Sequence, residues 1–296
     1  MSISLGNVPA HLRDAIVAAF PTLTNARLEV LGEGWHSTAI GADDRHVFKF
    51  PRHEIAQAAL IKEAALLAVV RPALTMPVPD LRIHEGSLLF SSHRKLRGQH
   101  LLSPDYASLP DRARDRLAAD IAQFYAELHC LPVDRMTAAG AAPIAPWQSA
   151  DAMRSAALPA LPVELRSAAA EIISAYEQLP ADPLGMVYGF FDGHGWNMAF
   201  DHSAQHLNGI YDFADSGLGA RHQEFIYTNL ISPDLTERVV QAYEALSGLS
   251  LDRARIATFT GAHRLSELAE LAHDPTHAPT MVQAAIEWLS HGRLRG

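Results

Sequence analysis

The chain is predicted to be an α+β protein of two unequal lobes, a small β-rich one followed by a larger, mainly helical one. Three observations predict this. Short alternating stretches separated by turn residues fill most of residues 27–50 and 82–92. A helical stretch without Gly or Pro, residues 54–70, is set between them. Beyond residue 99 long amphipathic patterns dominate, broken by one cluster of short strands between 186 and 213. The expected division is residues 1–92 for the first lobe, a hinge near 91–98, and residues 99–296 for the second.

Taken in order, residues 8–20 suit a short amphipathic helix. "RLEVLGEG" alternates and then meets glycines, and "HVFKFP" alternates until a proline stops it. "MPVPD" is a proline-stiffened connector, and "LRIHEGSLLFSS" suits two strands around Glu85-Gly86. In the second part, residues 111–130 place Leu117, Ile121, Phe124 and Leu128 on one helix face. "APIAPW" is a loop and residues 162–179 are helical. "MVYGFF", "WNMAFD" and "LNGIYDF" are strand-like, "SGLG" at 216–219 is expected to be loop, and from 222 onward the chain is largely helical.

The 296 residues are ample for a large core, and 48% of them are hydrophobic, which excludes a disordered chain. The N-terminus has no basic n-region or uninterrupted apolar run and does not suit a signal peptide. Nothing approaches the roughly 20 apolar residues of a membrane span. Cys130 is the one cysteine, so no internal disulfide is possible. A cytoplasmic protein that binds neither membrane nor nucleic acid is the expectation. Residues 1–98 carry a net +2 and residues 99–296 a net −11, a balance unsuited to phosphate backbones. The acidic second part either solubilises the surface or attracts a cationic ligand.

Four features then fall in one order. "LGEGWHSTAIG", residues 31–41, sits between two strand patterns, where glycines allow close approach to phosphate and Ser37 or Thr38 can donate to it. Taken alone, turn geometry also explains such glycines, and no Gly-Lys-Ser/Thr follows to make a Walker A loop. Lys49 lies mid-strand, on the face opposite Phe48 and Phe50. Glu63 follows fourteen residues later within the helix, as in a Lys–Glu pair that turns a lysine toward nucleotide phosphates. Asp192 and Asn197, in "DGHGWN", have the spacing of a catalytic base and a metal-binding amide in a kinase loop. Asp212, in "IYDFADSG", ends an apolar strand twenty positions after Asp192, which suits a second oxygen ligand for Mg²⁺.

In this order and lobe layout, the chain resembles the aminoglycoside phosphotransferase family. That family shares the protein-kinase-like fold and includes kinases of choline, homoserine and other small alcohols. "GEGWHSTAIG…VFKFP" resembles its nucleotide loop and lysine strand, "IKEAALL" its glutamate helix, "HRKLRGQHL" its hinge, and "FYAELHCLPV" its helix ending in Leu-His. "DGHGWN" and "IYDFADSGLG" stand where the family has Asp-Leu-His-Pro-Gly-Asn and Ile-Asp-Phe-Gly-Asp. The resemblance implies Asp192 as base, Asn197 and Asp212 as Mg²⁺ ligands, and Lys49 supported by Glu63 as the phosphate contact. It implies Ser37 at the phosphate loop, and residues 91–94, Ser92 and His93 among them, as a hinge that pairs with the base of ATP or GTP. The implied reaction moves the γ-phosphoryl group to a hydroxyl of a small molecule, with Asp215 and Glu224 as candidate contacts for a cationic acceptor such as an aminoglycoside or amino alcohol.

Two departures qualify the resemblance. Phe190 and Phe191 replace the family's His-Gly before Asp192, so the bond that histidine makes to backbone near the metal-binding Asp is lost while apolar packing can be kept. Glu224 stands where an aspartate usually supports the catalytic loop, which suggests a longer carboxylate reaching a shifted loop. The double phenylalanine also admits a rival reading, a catalytically weak nucleotide-binding pseudokinase with a regulatory or scaffolding role. Among the histidines, His129 and His194 read as structural or supporting, while His202, His206, His273 and His277 read as loop residues rather than metal ligands.

Overall fold

The computed structural model describes residues 8–34 and 37–292. Trp35 and His36, inside the glycine-bearing stretch 31–41, lie outside the described residues. So do residues 1–7, which begin the N-terminal stretch read above as no signal peptide. The architecture is the expected α+β one, a five-stranded antiparallel sheet followed by a mostly helical body.

The sheet comprises β1 (Leu28–Glu33), β2 (Ser37–Ala42), β3 (His46–Pro51), β4 (Arg82–His84) and β5 (Phe90–Arg94), in the order β1-β2-β3-β5-β4. Alternation sorts its residues between two faces. Ile40, Phe48, Phe50 and Phe90 pack with Leu12 and Ile16 of helix α1 (Ala10–Ala19) on the outer face. Lys49 and Ala39 point the other way, into a cleft.

Helix α2 (Glu54–Val70) follows β3 and carries Glu63. Leu60, Glu63, Leu66, Leu67 and Val70 recur at helical spacing and are all buried. Leu66, Leu67 and Val70 belong to the same apolar core as Phe124, Phe190 and Phe213 of the larger lobe. The helix that holds Glu63 is therefore packed onto the larger lobe. The proline connector is anchored there too, through Thr75 N–H donating to Glu127 Oε2 at 2.8 Å and Ile210 N–H donating to Pro77 O at 3.1 Å.

Two small sheets flank the loops that bear Asp192, Asn197 and Asp212. In one, β6 (Met186–Gly189) pairs with β9 (Gly217–Ala220), and in the other β7 (Met198–Asp201) pairs with β8 (His206–Ile210). The "SGLG" stretch, expected as loop, is thus for the most part a strand. Its glycines serve close approach rather than a turn. A Cβ on Gly219 would lie 2.4 Å from the Phe191 ring, and one on Gly217 would lie 2.6 Å from the Ala142 carbonyl. The helices Asp111–His129, Val163–Glu177, Pro233–Ser247, Arg253–Leu271 and Ala278–Gly292 complete the larger lobe. Among the described residues no helix is long and apolar enough to cross a membrane.

Candidate active site

Mid-strand Lys49 reaches two carboxylates at once. Its Nζ lies 2.8 Å from Asp212 Oδ1 and 3.4 Å from Glu63 Oε2. Burial pushes this ammonium down, but Glu63 and Asp212 outweigh it and hold Lys49 above its ordinary value. Glu63 is 2% exposed, and its other oxygen accepts the Phe213 N–H at 3.0 Å. One glutamate thus ties α2 both to the lysine strand and to the segment after Asp212. Burial raises the Glu63 carboxyl, which Lys49 opposes.

Asp192 lies between β6 and β7, on a loop tightened by glycines. A Cβ on Gly193 would fall 2.0 Å from the Tyr125 hydroxyl, and one on Gly195 would fall 1.7 Å from the Leu101 carbonyl. Only glycine allows the loop to press this closely on the helix Asp111–His129 and the segment after the hinge. Asp192 Oδ2 accepts from Asn197 Nδ2 at 2.6 Å, and His194 Nε2 lies 3.1 Å from Oδ1. Burial lowers His194, yet its bond to Asp192 prevails and raises it. The five-residue spacing read in the sequence is therefore a direct contact.

Beneath this loop is the support that replaces the family's pattern. Phe190 is fully buried, 4.8 Å from the ring of Phe213 and 5.7 Å from that of Phe124, so it joins the two functional loops through apolar packing. Phe191 has φ +52°, a left-handed conformation that favours glycine. Its ring lies where a side chain on Gly189 or Gly219 would sit. Glu224 holds both residues, its Oε2 accepting the Phe190 N–H and its Oε1 the Phe191 N–H, each at 2.9 Å. His129 continues the network, with Nε2 3.4 Å from Glu224 and Nδ1 2.8 Å from the Tyr243 hydroxyl, which accepts from Arg221. The Glu224 carboxylate can only accept, so His129 Nε2–H donates to it, and Nδ1 of the neutral ring accepts the Tyr243 proton. Burial lowers His129, in keeping with this neutral tautomer.

Glu224 therefore acts where loop support was anticipated, and its other expected role, contact with the acceptor, is corrected. The side chain is fully buried, with both oxygens committed to backbone. Ser92 is corrected as well. It sits on the outer face of β5, its hydroxyl 2.7 Å from His84 Nε2, and its backbone is paired to both β3 and β4. His93 is the first β5 residue without a β4 partner, and it lines the cleft. Ser37 lies on the same strand face as the cleft-lining Ala39. Asp215 is exposed, and its carboxyl is raised by desolvation and then by the charges of Asp192 and Asp212.

The cleft between sheet and helical body has a volume of about 680 Å³ and is lined by Lys49, Glu63, His93 and Asp212. His100, His202 and Tyr211 also line it, and sequence reasoning missed this role. The sequence around His202 suits a turn, and no local pattern marks the three as neighbours. His206, read with it as loop, faces Asp120 at 3.9 Å instead.

The oxygens of Asn197 and Asp212 form a donor set for a hard cation. Asn197 donates its Nδ2 to Asp192, which turns its Oδ1 away from that carboxylate. Asp212 gives Oδ1 to Lys49, and its side chain is 44% exposed, leaving Oδ2 accessible. Two oxygen donors of this kind suit Mg²⁺, which would take its other ligands from phosphates and water.

A model of the phosphotransferase enzyme family matches residues 27–259. Among solved structures, the GDP complex of aminoglycoside 2'-phosphotransferase-IIIa superposes with a TM-score of 0.83 at 24% identity, covering 95% of this chain and 98% of that one. An ADP-bound aminoglycoside phosphotransferase, APH(2'')-Ib, gives 0.64 at 17% identity, over 95% and 97%. A macrolide 2'-phosphotransferase from Brachybacterium faecium, without ligand, gives 0.64 at 20% identity, over 94% and 98%. These likenesses show the fold. No curated protein sequence matches the chain.

Proposed function

The chain belongs to the phosphotransferase enzyme family, and from that premise we propose that it transfers the γ-phosphoryl group of ATP or GTP to a hydroxyl of a small molecule. The observation that carries this reading is the Lys49–Asp212–Glu63 cluster, joined by the Tyr211 N–H to Asn197 O bond and the Phe190–Phe213 contact to a loop on which Asn197 and His194 hold Asp192. The nucleotide lies between residues 1–92 and residues 99–296, its base toward His93 and its phosphates toward Lys49. Asp192 accepts the proton of the acceptor hydroxyl as the new O–P bond forms and the bond to the departing nucleoside diphosphate breaks. Asn197 and Asp212 would hold Mg²⁺, which would supply charge neutralisation on the phosphates. The protein's own contribution is positioning and preset charge. The structures with GDP and with ADP among the neighbours support either nucleotide. For the acceptor, the carboxylates Asp192, Asp212 and Asp215 favour a small cationic alcohol, such as an aminoglycoside or amino alcohol.

The test is phosphoryl transfer from labelled ATP and GTP to a panel of aminoglycosides, choline, homoserine, macrolides and sugars, beside an Asp192→Ala control. Transfer that the control lacks is the expected result. No transfer above the control, with nucleotide binding intact, would instead make the chain a nucleotide-binding module without turnover.

A further inference from the structure

Tyr211 directly precedes Asp212 and stands where the resembled motif has isoleucine. It grips the catalytic loop at two successive carbonyls. Its backbone N–H donates to Asn197 O at 3.0 Å, and its hydroxyl donates to Trp196 O at 2.9 Å. Those carbonyls flank the Asn197 Cα, so together they fix the direction in which the Asn197 side chain leaves the backbone. The hydroxyl is itself held, with His100 Nδ1 3.0 Å away. A phenol has one proton, here directed to Trp196 O, so His100 donates to the phenol oxygen. The His100 ring also packs on that of Trp196 at 4.7 Å between centroids. Isoleucine at this position would keep only the backbone bond.

We propose that Tyr211 is a positioning residue that sets Asn197 relative to Asp212, and so organises the metal–nucleotide site before the ligand arrives. The inference rests on the reading that these two residues hold Mg²⁺. It requires no contact between the tyrosine hydroxyl and nucleotide. The lever is the pair of anchored carbonyls, and His100 fixes the lever from the segment after the hinge.

Tyr211→Phe keeps the ring and the backbone bond and removes only the hydroxyl. Binding of a non-hydrolysable nucleotide is titrated against Mg²⁺ and repeated in EDTA, with melting temperature as a control for folding. The Mg²⁺ concentration for half-maximal binding should rise about tenfold, roughly the worth of one hydrogen bond. Affinity in EDTA should not change, and the melting temperature should fall by no more than the few degrees that one hydrogen bond is worth. In an Asn197→Ala background the same substitution should add nothing, because its effect passes through Asn197. An unchanged Mg²⁺ requirement, an equal loss of affinity in EDTA, or full additivity with Asn197→Ala would each overturn the proposal. If the unaltered chain binds nucleotide with no Mg²⁺ dependence, the metal assignment itself fails and takes this inference with it.

Discussion

Glu224→Gln is the sharpest probe of how this chain supports its catalytic loop. The substitution preserves volume but replaces one oxygen with an NH₂ group facing a backbone N–H. Two 2.9 Å bonds to Phe190 and Phe191 become one, and the charge that strengthened both is removed. A charge-assisted bond is worth about 1.5–3 kcal/mol, and an orphaned buried N–H costs about 1–3 kcal/mol more. The side chain is fully buried, so water cannot compensate. The sum, about 2.5–6 kcal/mol, is a large share of a typical stability of roughly 5–15 kcal/mol. At roughly 2–4 °C per kcal/mol for a large domain, the melting temperature should fall on the order of 10 °C. Because Phe191 is held at φ +52° next to Asp192, kcat should fall as well, while nucleotide affinity, which depends on Lys49, should change little. Circular-dichroism melting and steady-state kinetics measure both. Glu224→Asp, one methylene shorter, draws the carboxylate back from both donors while keeping its charge buried, and should show a loss of similar size. If both variants melt within about 2 °C of the unaltered chain and turn over normally, the carboxylate does not support the loop.

Phe191→Gly removes left-handed strain worth roughly 1–2 kcal/mol but empties a buried aromatic site worth about 3–5 kcal/mol, so denaturant melts should show net destabilisation, and a neutral or stabilising result would mean that strain dominates. Gly193→Ala drives a methyl into the Tyr125 hydroxyl at 2.0 Å and should cut kcat about a hundredfold by displacing Asp192. Adding Tyr125→Phe should restore part of that loss, and no rescue would place the clash elsewhere. Burial pushes His263 down to about 4, with the Arg264 and His194 charges adding to it. Its folded value lies below the unfolded one of about 6.5, so the unfolded state binds more protons in that window and stability falls as pH drops from about 6.5 toward 4. His263→Phe should flatten the decline of melting temperature over this range, and an unchanged slope would show that this histidine does not set it.

Much of this site can be read along the chain because its elements are short and local. Asp192 and Asn197 are five residues apart on one loop, and Lys49 sits in a strand whose alternation already separates it from Phe48 and Phe50. Glu63 follows in the next helix, at the spacing of its buried leucines. The errors have a common origin. Ser92 was assigned from its place in the hinge stretch, but strand alternation turns its side chain to the outer face, toward His84. Gly217 and Gly219 look like turn residues, whereas the Ala142 carbonyl and the Phe191 ring press on them across the fold.

By itself the sequence determined the fold class, the order of its strands and helices, and the positions of Lys49, Glu63, Asp192, Asn197 and Asp212 along them, since periodicity and spacing are properties of neighbouring residues. Only the tertiary structure decided the rest. It brought Glu224 under Phe190 and Phe191 from more than thirty residues away, gave Phe191 the space left by two glycines, and set Tyr211 against the carbonyls beside Asn197. Such contacts depend on which surfaces meet when the core closes, and one-dimensional spacing carries no record of that distance.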